Sequence, residues 1–469
     1  MEQAKKIGTE EQPLRVAVIG AGPAAFYAID SLFKQSNLVS QVDMFNRFPT
    51  PFGLVREGVA PDHESIKAVT RIYDRIASNP NFRYFGNVTF GTDITHDELR
   101  PLYDQVIYAV GAQSDRKMNI PGEDLEGSYP ATIFVGWYNS HPDYADLDFD
   151  LTGQRAVVVG NGNVAMDVTR ILATLPDALA TTDISDAALL KLRQSKVREV
   201  VMLGRRGPVQ SSFTNPELKE FGELEEVAVI VDPADLELDE TSAIALASDK
   251  NATKNVDTLR RYAAQTEHDH PRRIVMRFFV SPVEIIGENG KVVAIKLERN
   301  QLVLHSDGTL RAEGTGQFEI IETGLVFRSV GYRGVTLNGV PFDEKTGTIA
   351  NIAGRVMQVS TSEMVPGEYV VGWAKRGPSG VIGTNKPDSA ATVAAMVEDV
   401  PHLKIQPRTR DRDAIENLLK SKQIPYITYQ DWSRINEQEV AKGKSQGRPR
   451  VKFTHVAEML AAIKQAATV

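Results

Sequence analysis

The feature that most constrains this chain occurs twice. Near the N-terminus an apolar, β-rich run, LRVAVIG (Leu14 to Gly20), breaks into GAGPAAFYAIDSLF and is followed by QVDMFN (Gln41 to Asn46). From Gln154 to Leu172 the pattern returns as QRAVVVGNGNVAMDVTRIL, followed later by REVVMLG. Each unit reads as a strand, a tight glycine turn, a helix and a second strand. The first glycine (Gly20, Gly160) permits the turn, and the second (Gly22, Gly162) lets backbone approach a pyrophosphate. Ala25 or Ala165 stands where a third glycine would let helix and strand pack. The pyrophosphate would lie on the helix N-terminus, where unpaired N–H groups and the macrodipole favour an anion. Gly20, Gly22, Pro23 and Ala24 are the candidate contacts in the first unit, and Gly162, Asn163 and Val164 open the helix of the second. An α/β protein with two Rossmann-like dinucleotide-binding domains is expected. The late return of the second strand places an additional helix in the inserted segment ATLPDALATTDISDAALLKLRQSK.

The two units differ where their second strands end. An acidic residue there usually takes the adenosine ribose hydroxyls, but FNRF puts Asn46 at that point in the first unit. An amide can still bond a hydroxyl, without the charge. In the second unit the strand runs into LGRRGPVQ (Leu203 to Gln210). Arginines at this position favour the 2'-phosphate of NADP through charge-assisted, often bidentate hydrogen bonds. Arg205 and Arg206 are therefore the expected NADP selectors.

The chain has 469 residues, enough for two or three domains with their own cores, and no cysteine. Disulfide, thiolate-metal and CxxC redox chemistry are thereby excluded. Two dinucleotide sites without a thiol suggest one bound flavin and one exchangeable nicotinamide. The stretch YVVGWAKRGPSGVIGTNKPDSAATVAAMV (Tyr369 to Val397) fits the flavin side. It reads as a strand ending at Gly372 and Trp373, a loop with three glycines, and a helix starting near Asp388 or Ser389. That helix start is suited to stabilising negative charge on a reduced flavin. A flavin domain built from both ends of the chain, with the NADP unit inserted, follows. No apolar run approaches the roughly 20 residues of a membrane span, and MEQAKKIGTEEQP lacks the apolar core of a signal peptide, so a cytoplasmic protein is expected. A net charge of −8 argues against nucleic-acid binding.

Beyond these units, PTPFGLVREGVAPDHESIK, VIYAVGAQSDRKMNIPGEDLEG, GNGNVAMDV, GRRGPVQ, LVFRSVGYRG, GWAKRGPSGVIGTNK and a tail with QDWSRIN and GRPRVKF occur in order. Together they resemble the NADPH:ferredoxin reductases of the adrenodoxin reductase type over nearly the whole chain. The resemblance implies an FAD domain over residues 10–112 and 336–469 and an NADP domain over 113–335. It implies Leu54 as an FAD contact and Trp373, Gly380, Val381 and Ile382 as the wall around the flavin ring. On the NADP side it implies Arg116, Asn161, Gly162, Asn163, Val164, Arg205, Arg206 and Glu217. His63 and Asp167 match a pair that manages protons near the flavin. The activity implied is hydride transfer from NADPH to FAD, then single-electron transfer to a ferredoxin (ferredoxin–NADP+ reductase).

Ferredoxins are generally acidic, so a basic docking patch is expected, with Arg260 and Arg261, or Arg272 and Arg273, as candidates on an enzyme read as a monomer. Disulfide reductases and glutamate-synthase small subunits also pair dinucleotide units, but the former need CxxC and the latter a cysteine-ligated cluster domain. A flavin monooxygenase, or a protein that binds both nucleotides without turnover, stays open on composition alone.

Overall fold

The apolar runs become buried parallel strands. In the computed structural model, which describes residues 6–265, 269–403 and 411–466, β1 (Leu14–Ile19) is buried at every position. Such continuous burial is what helices on both faces of a parallel sheet produce. β2 (Ser40–Asn46), β3 (Phe82–Gly86) and β4 (Gln105–Tyr108) pair parallel around it. The chain then leaves this sheet through β5 (Ser114–Asp115).

A second parallel sheet follows, from β6 (Ser128–Pro130), β7 (Arg155–Val159), β8 (Glu199–Leu203), β9 (Val227–Val231) and β10 (Arg272–Arg277). The segment inserted before β8 forms two helices, Pro176–Leu179 and Asp186–Arg193. Next comes an antiparallel sheet that the sequence reading did not anticipate: β11 (Val280–Glu288), β12 (Lys291–Leu304) and β13 (Leu310–Glu322). β14 (Leu325–Arg328) then inserts between β6 and β7. β15 (Tyr332–Arg333) pairs antiparallel with β5, so the outgoing and returning crossings form one two-stranded ribbon.

After a hairpin of β16 (Phe342–Asp343) and β17 (Thr348–Ile349), the chain rejoins the first sheet with β18 (Asn351–Ile352), β19 (Arg355–Met357) and β20 (Met364–Val370). The first sheet runs β18-β19-β20-β4-β1-β2-β3, the second β6-β14-β7-β8-β10-β9. Strands from both ends of the chain thus share one sheet, and the second parallel sheet is built wholly from strands that lie between them.

The helix after β20 spans Asn385–Asp399, beginning a turn before the expected Asp388 or Ser389. Pro387 is tolerated in the first turn, where its missing N–H would have had no partner. This helix packs on the first helix, Pro23–Phe33, whose Ala24, Ala25 and Ala28 allow close approach, and Ser389 Oγ donates to the Ala24 carbonyl at 2.9 Å. Among the described residues no helix is long and apolar enough to cross a membrane.

Candidate active site

The turn after β1 needs glycine twice. Gly20 has φ +102°, and a Cβ there would sit 2.5 Å from the carbonyl oxygen of Ala109, the residue just past β4. Gly22 caps the helix in extended conformation with no side-chain cap, and a Cβ on it would face open space. The helix N–H groups are thus left for a ligand anion. Distant backbone closes over this turn: a Cβ on Gly53 would approach Gly22 Cα at 3.1 Å, and one on Gly372 would approach Ala24 Cβ at 2.6 Å. Leu54 and Val381 expose apolar side chains, 44% and 59% accessible, which suits a flat apolar cofactor.

Trp373 stacks on Tyr332 with centroids 5.6 Å apart and donates from Nε1 to the Ser379 carbonyl at 3.2 Å. Gly380 has φ +77°, and Ile382 packs on the core of the first sheet. The Asn385–Asp399 helix begins after Thr384 without a side-chain cap. Its own Asp388 accepts from the Gly372 N–H at 2.8 Å and pairs with Lys375 at 3.0 Å.

Asn46 has a role that its position alone did not reveal. Its amide nitrogen donates to the Phe48 and Thr50 carbonyls at 3.1 and 2.9 Å, holding the loop after β2. Both N–H donors are used, so Oδ1 alone is left to accept a ribose hydroxyl.

The second turn repeats the first. Gly160 has φ +136°, where a Cβ would run into the Ser329 carbonyl, and Gly162 again faces open space at the start of the helix Asn163–Ala173. The Asn161 carbonyl accepts from Ser212 N–H at 3.1 Å and Asn163 Oδ1 from Thr214 N–H at 2.9 Å, which ties the following loop to the turn. Val164 packs on the core of the second sheet.

Past β8, Arg205 is exposed and Arg206 half-buried. Their backbone is fixed: the Arg205 carbonyl accepts from Asn300 Nδ2 at 2.8 Å and the Arg206 carbonyl from Phe279 N–H at 3.2 Å. The Arg206 guanidinium donates to the Gln210 carbonyl at 3.3 Å. Burial first, and the Arg205 charge second, lower the proton affinity of Arg206. Neither guanidinium has a carboxylate partner among the described residues, which fits a phosphate. Arg116 lies on the crossing ribbon, where Nε donates to the Tyr332 carbonyl at 3.3 Å.

The titratable residues converge across the seam between the sheets. His63 caps the short helix Glu64–Lys67, and its Nδ1 lies 4.0 Å from the Asp167 carboxylate on the helix Asn163–Ala173. Its Nε2 bonds Glu220 at 2.9 Å and lies 3.9 Å from Glu217. Arg170, 2% exposed, is the hub, with Asp167 at 2.7 Å, Asp62 at 2.7 Å, and Glu217 and Glu220 each at 3.2 Å.

Burial raises the Asp167 carboxyl above its ordinary range against the pull of Arg170 and His63. Burial, with the Asp167 charge, pushes Glu217 up to about 7. At Asp62 burial acts the same way, but the Arg170 bonds outweigh it and hold that carboxyl below its usual value. The structure therefore groups Glu217 with His63 and Asp167. Sequence reasoning missed Asp62, Arg170 and Glu220. An acid and a base at i and i+3, as in Asp167 and Arg170, was the available signal.

The docking candidates separate. Arg260 and Arg261 are exposed on the helix Lys250–Ala263, with Arg260 only 3.7 Å from Asp257. Arg272 donates to the Ala173 and Thr174 carbonyls at 3.1 and 2.8 Å, and Arg273 pairs with Glu199. Both open β10, whose other end, Arg277, meets Gly204, and the strand's rise sets them roughly 15 to 20 Å from the nucleotide turn. With their guanidinium groups engaged there, this second pair does not form a free patch.

One dinucleotide cradle roofed by distant backbone, and one open beside an unpaired arginine couple, define a pyridine-nucleotide-dependent flavoprotein oxidoreductase. The pyridine nucleotide-disulphide oxidoreductase family matches residues 14–225. The chain is 47% identical to the NADPH-ferredoxin reductase FprA of Mycobacterium tuberculosis, over 96% of this chain and 99% of the relative. It is 37% identical to the mitochondrial NADPH:adrenodoxin oxidoreductase of Arabidopsis thaliana, over 96% and 95%. The structure of M. tuberculosis FprA in complex with NADPH matches with a TM-score of 0.92 at 47% identity, covering 97% of this chain and 100% of that one. The chain belongs to the NADPH:ferredoxin reductases of the adrenodoxin reductase type, and its cofactors are FAD and NADP. With no cysteine in the sequence, it shares the nucleotide fold of the disulphide oxidoreductases without their thiol chemistry.

Proposed function

We propose that this chain passes a hydride from NADPH to FAD and then single electrons to an iron-sulfur ferredoxin. The observation that carries the reading is the unpaired Arg205 and Arg206 couple beside an open cradle, opposite a cradle roofed by its own chain. In this reading residues 10–112 and 336–469 hold FAD and residues 113–335 hold NADP. FAD, when bound, supplies the two-electron acceptance and one-electron release that no side chain here offers. The chain's own work is to bind, orient and manage protons.

Gly20, Gly22, Pro23 and Ala24 receive one pyrophosphate, and Asn161, Gly162, Asn163 and Val164 the other. Leu54, Trp373, Gly380, Val381 and Ile382 wall the flavin ring and keep water from it, Asn46 Oδ1 meets the FAD ribose, and Arg116 steadies NADP. His63 holds a proton at Nδ1 or Nε2, and Asp167, Glu217 and Glu220 set which nitrogen carries it. Arg260 and Arg261 offer the docking charge for an acidic ferredoxin.

The test is NADPH-driven cytochrome c reduction by the flavin-loaded protein, with and without a ferredoxin from the same host. A rate that rises and saturates with ferredoxin is expected. If no host ferredoxin raises the rate while ferricyanide is still reduced, the acceptor assignment falls and the nucleotide assignments stand.

A further inference from the structure

Two sequence features take no part in either cradle: the segment inserted before β8 and the tail GRPRVKF. In the fold they meet. Arg448, buried, donates to the Thr182 carbonyl at 2.8 Å, pairs with Asp186 at 2.5 Å and bonds the Ile184 carbonyl. Four residues on, Lys452 pairs with Asp183 at 3.2 Å and donates to the Arg56 and Asn139 carbonyls at 3.0 and 3.2 Å. Lys67 holds the other oxygen of Asp183 at 2.5 Å. The tail is itself anchored on the first-sheet side. Glu439 of the helix Tyr429–Ser445 accepts from Phe453 N–H at 2.9 Å and binds Arg56 through both carboxylate oxygens at 2.6 and 2.8 Å.

Apart from Asp186, which is exposed, these side chains are almost wholly out of water, with Lys452 and Asp183 each 1% exposed. Two buried amines share one carboxylate, and burial pushes the Lys452 amine down to about 7; such a cluster is a poor source of stability, and the better-attested use of such groups is to fix one geometry. The geometry they fix is telling. Lys67 lies one helical turn beyond His63, and Arg56 lies two residues beyond Leu54. Asp183 and Asp186 belong to the layer that packs on the second sheet.

We propose that the tail segment from Arg448 to Phe453, together with Lys67 and Asp183, is a clasp that holds the two nucleotide-binding sheets at one separation and so positions His63 against Asp167 and Glu220. These are positioning residues, and the inference rests on the assignment of FAD and NADPH to the two sheets. Hydride transfer needs its atoms about 3 to 3.5 Å apart, and a misplacement of about 1 Å lowers the rate on the order of a hundredfold. Loosening the clasp therefore acts on the transfer step. NADPH affinity is spared, because Asn161, Gly162, Arg205 and Arg206 all lie on one side of the seam.

The variant to make is Lys452→Met, which removes one of the two amines and leaves Lys67 and Asp183 as a balanced pair. With FAD bound, its flavin should be bleached by saturating NADPH at least tenfold more slowly, with an NADPH Kd within about twofold of wild type. Without NADPH, X-ray scattering should show a larger radius of gyration, and backbone amides of residues 63–67 and 182–186 should exchange faster. Should Lys452→Met fail to fold, Arg448→Lys keeps the charge, loses the paired carbonyl bonds and should show the same split more weakly. Bleaching at the wild-type rate with unchanged scattering, or slowing fully accounted for by weaker NADPH binding or lost FAD, overturns the clasp. A wild-type flavin that NADPH does not bleach would instead overturn the proposed function, and the scattering comparison would still test the clasp.

Discussion

The two glycine turns are built alike and finished differently. In both, a strand ends in a positive-φ glycine pressed against a neighbouring carbonyl, and an extended glycine facing open space begins a helix of 11 residues. Around the first turn, backbone from Gly53 and Gly372 and the Ser389 hydroxyl close in, and the strand-end Asn46 is turned inward to hold its own loop. Around the second, a local loop attaches through Asn161 and Asn163, and the strand-end arginines have no carboxylate partner among the described residues. In the function proposed above, the same cradle serves a retained ligand where the rest of the chain roofs it and an exchanging one where it does not.

The largest expected effect comes from breaking one cradle at a time. Gly20→Ala and Gly160→Ala each force a side chain into positive φ against a carbonyl, strain of about 1 to 3 kcal/mol before the lost ligand contacts. The first should purify without flavin absorbance. The second should stay yellow and lose NADPH reduction by at least a hundredfold, and loss of flavin from both would erase the distinction.

Arg205→Ala with Arg206→Ala sharpens it next. Each charged hydrogen bond is worth about 1.5 to 3 kcal/mol, so KM for NADPH should rise a hundredfold or more while KM for NADH stays nearly constant. Equal losses for the two cofactors would mean that the arginines do not read the 2'-phosphate.

Asn46→Asp comes third, and its sign opposes the general rule. An acid is the usual ribose partner at this strand end, but here it would lose both donors to Phe48 and Thr50 and face their carbonyls with a charge. Denaturant unfolding should show a loss of about 1 to 3 kcal/mol, and FAD should bind less tightly.

The smallest effect concerns pH at the seam. Glu217 titrates near 7 when folded and near 4.3 when unfolded, so between those values the folded state holds the extra proton. Its contribution to stability is complete below about 4.3 and is lost as pH rises through about 7. Glu217→Gln should flatten stability against pH in that window by about 1 to 2 kcal/mol, measured by denaturation at pH 5 and pH 8. A slope equal to wild type would assign the titration to another group.

Much of this was legible from local pattern. The glycine turns, their strands and the arginine couple follow from residues a few positions apart, because turn sterics and helix periodicity are local rules. The helix expected at Asp388 starts at Asn385 because Asp388 serves as a bond acceptor for Gly372, a contact set by the fold and not by the helix. The antiparallel sheet of β11 to β13 escaped notice because its long strands mix exposed charged and apolar residues. The cluster around Arg170 was only half visible. Asp62 reaches it from the loop before His63, and Glu217 and Glu220 from the helix Asn215–Phe221, and no spacing in the sequence records the meeting of those segments with Arg170.

The ribbon of β5 and β15 has a consequence for how the molecule comes to be folded. Ser114 lies beside Arg333 and Asp115 beside Tyr332, so everything between them departs and returns at one point. For β4 and β20, which must pair across that whole interval, the entropy of closing so long a loop would otherwise oppose assembly. Once the second sheet has formed and brought its ends together, the interval behaves as a short turn. What is left to close before β20 reaches β4 is the stretch after Arg333 that carries β16 to β19.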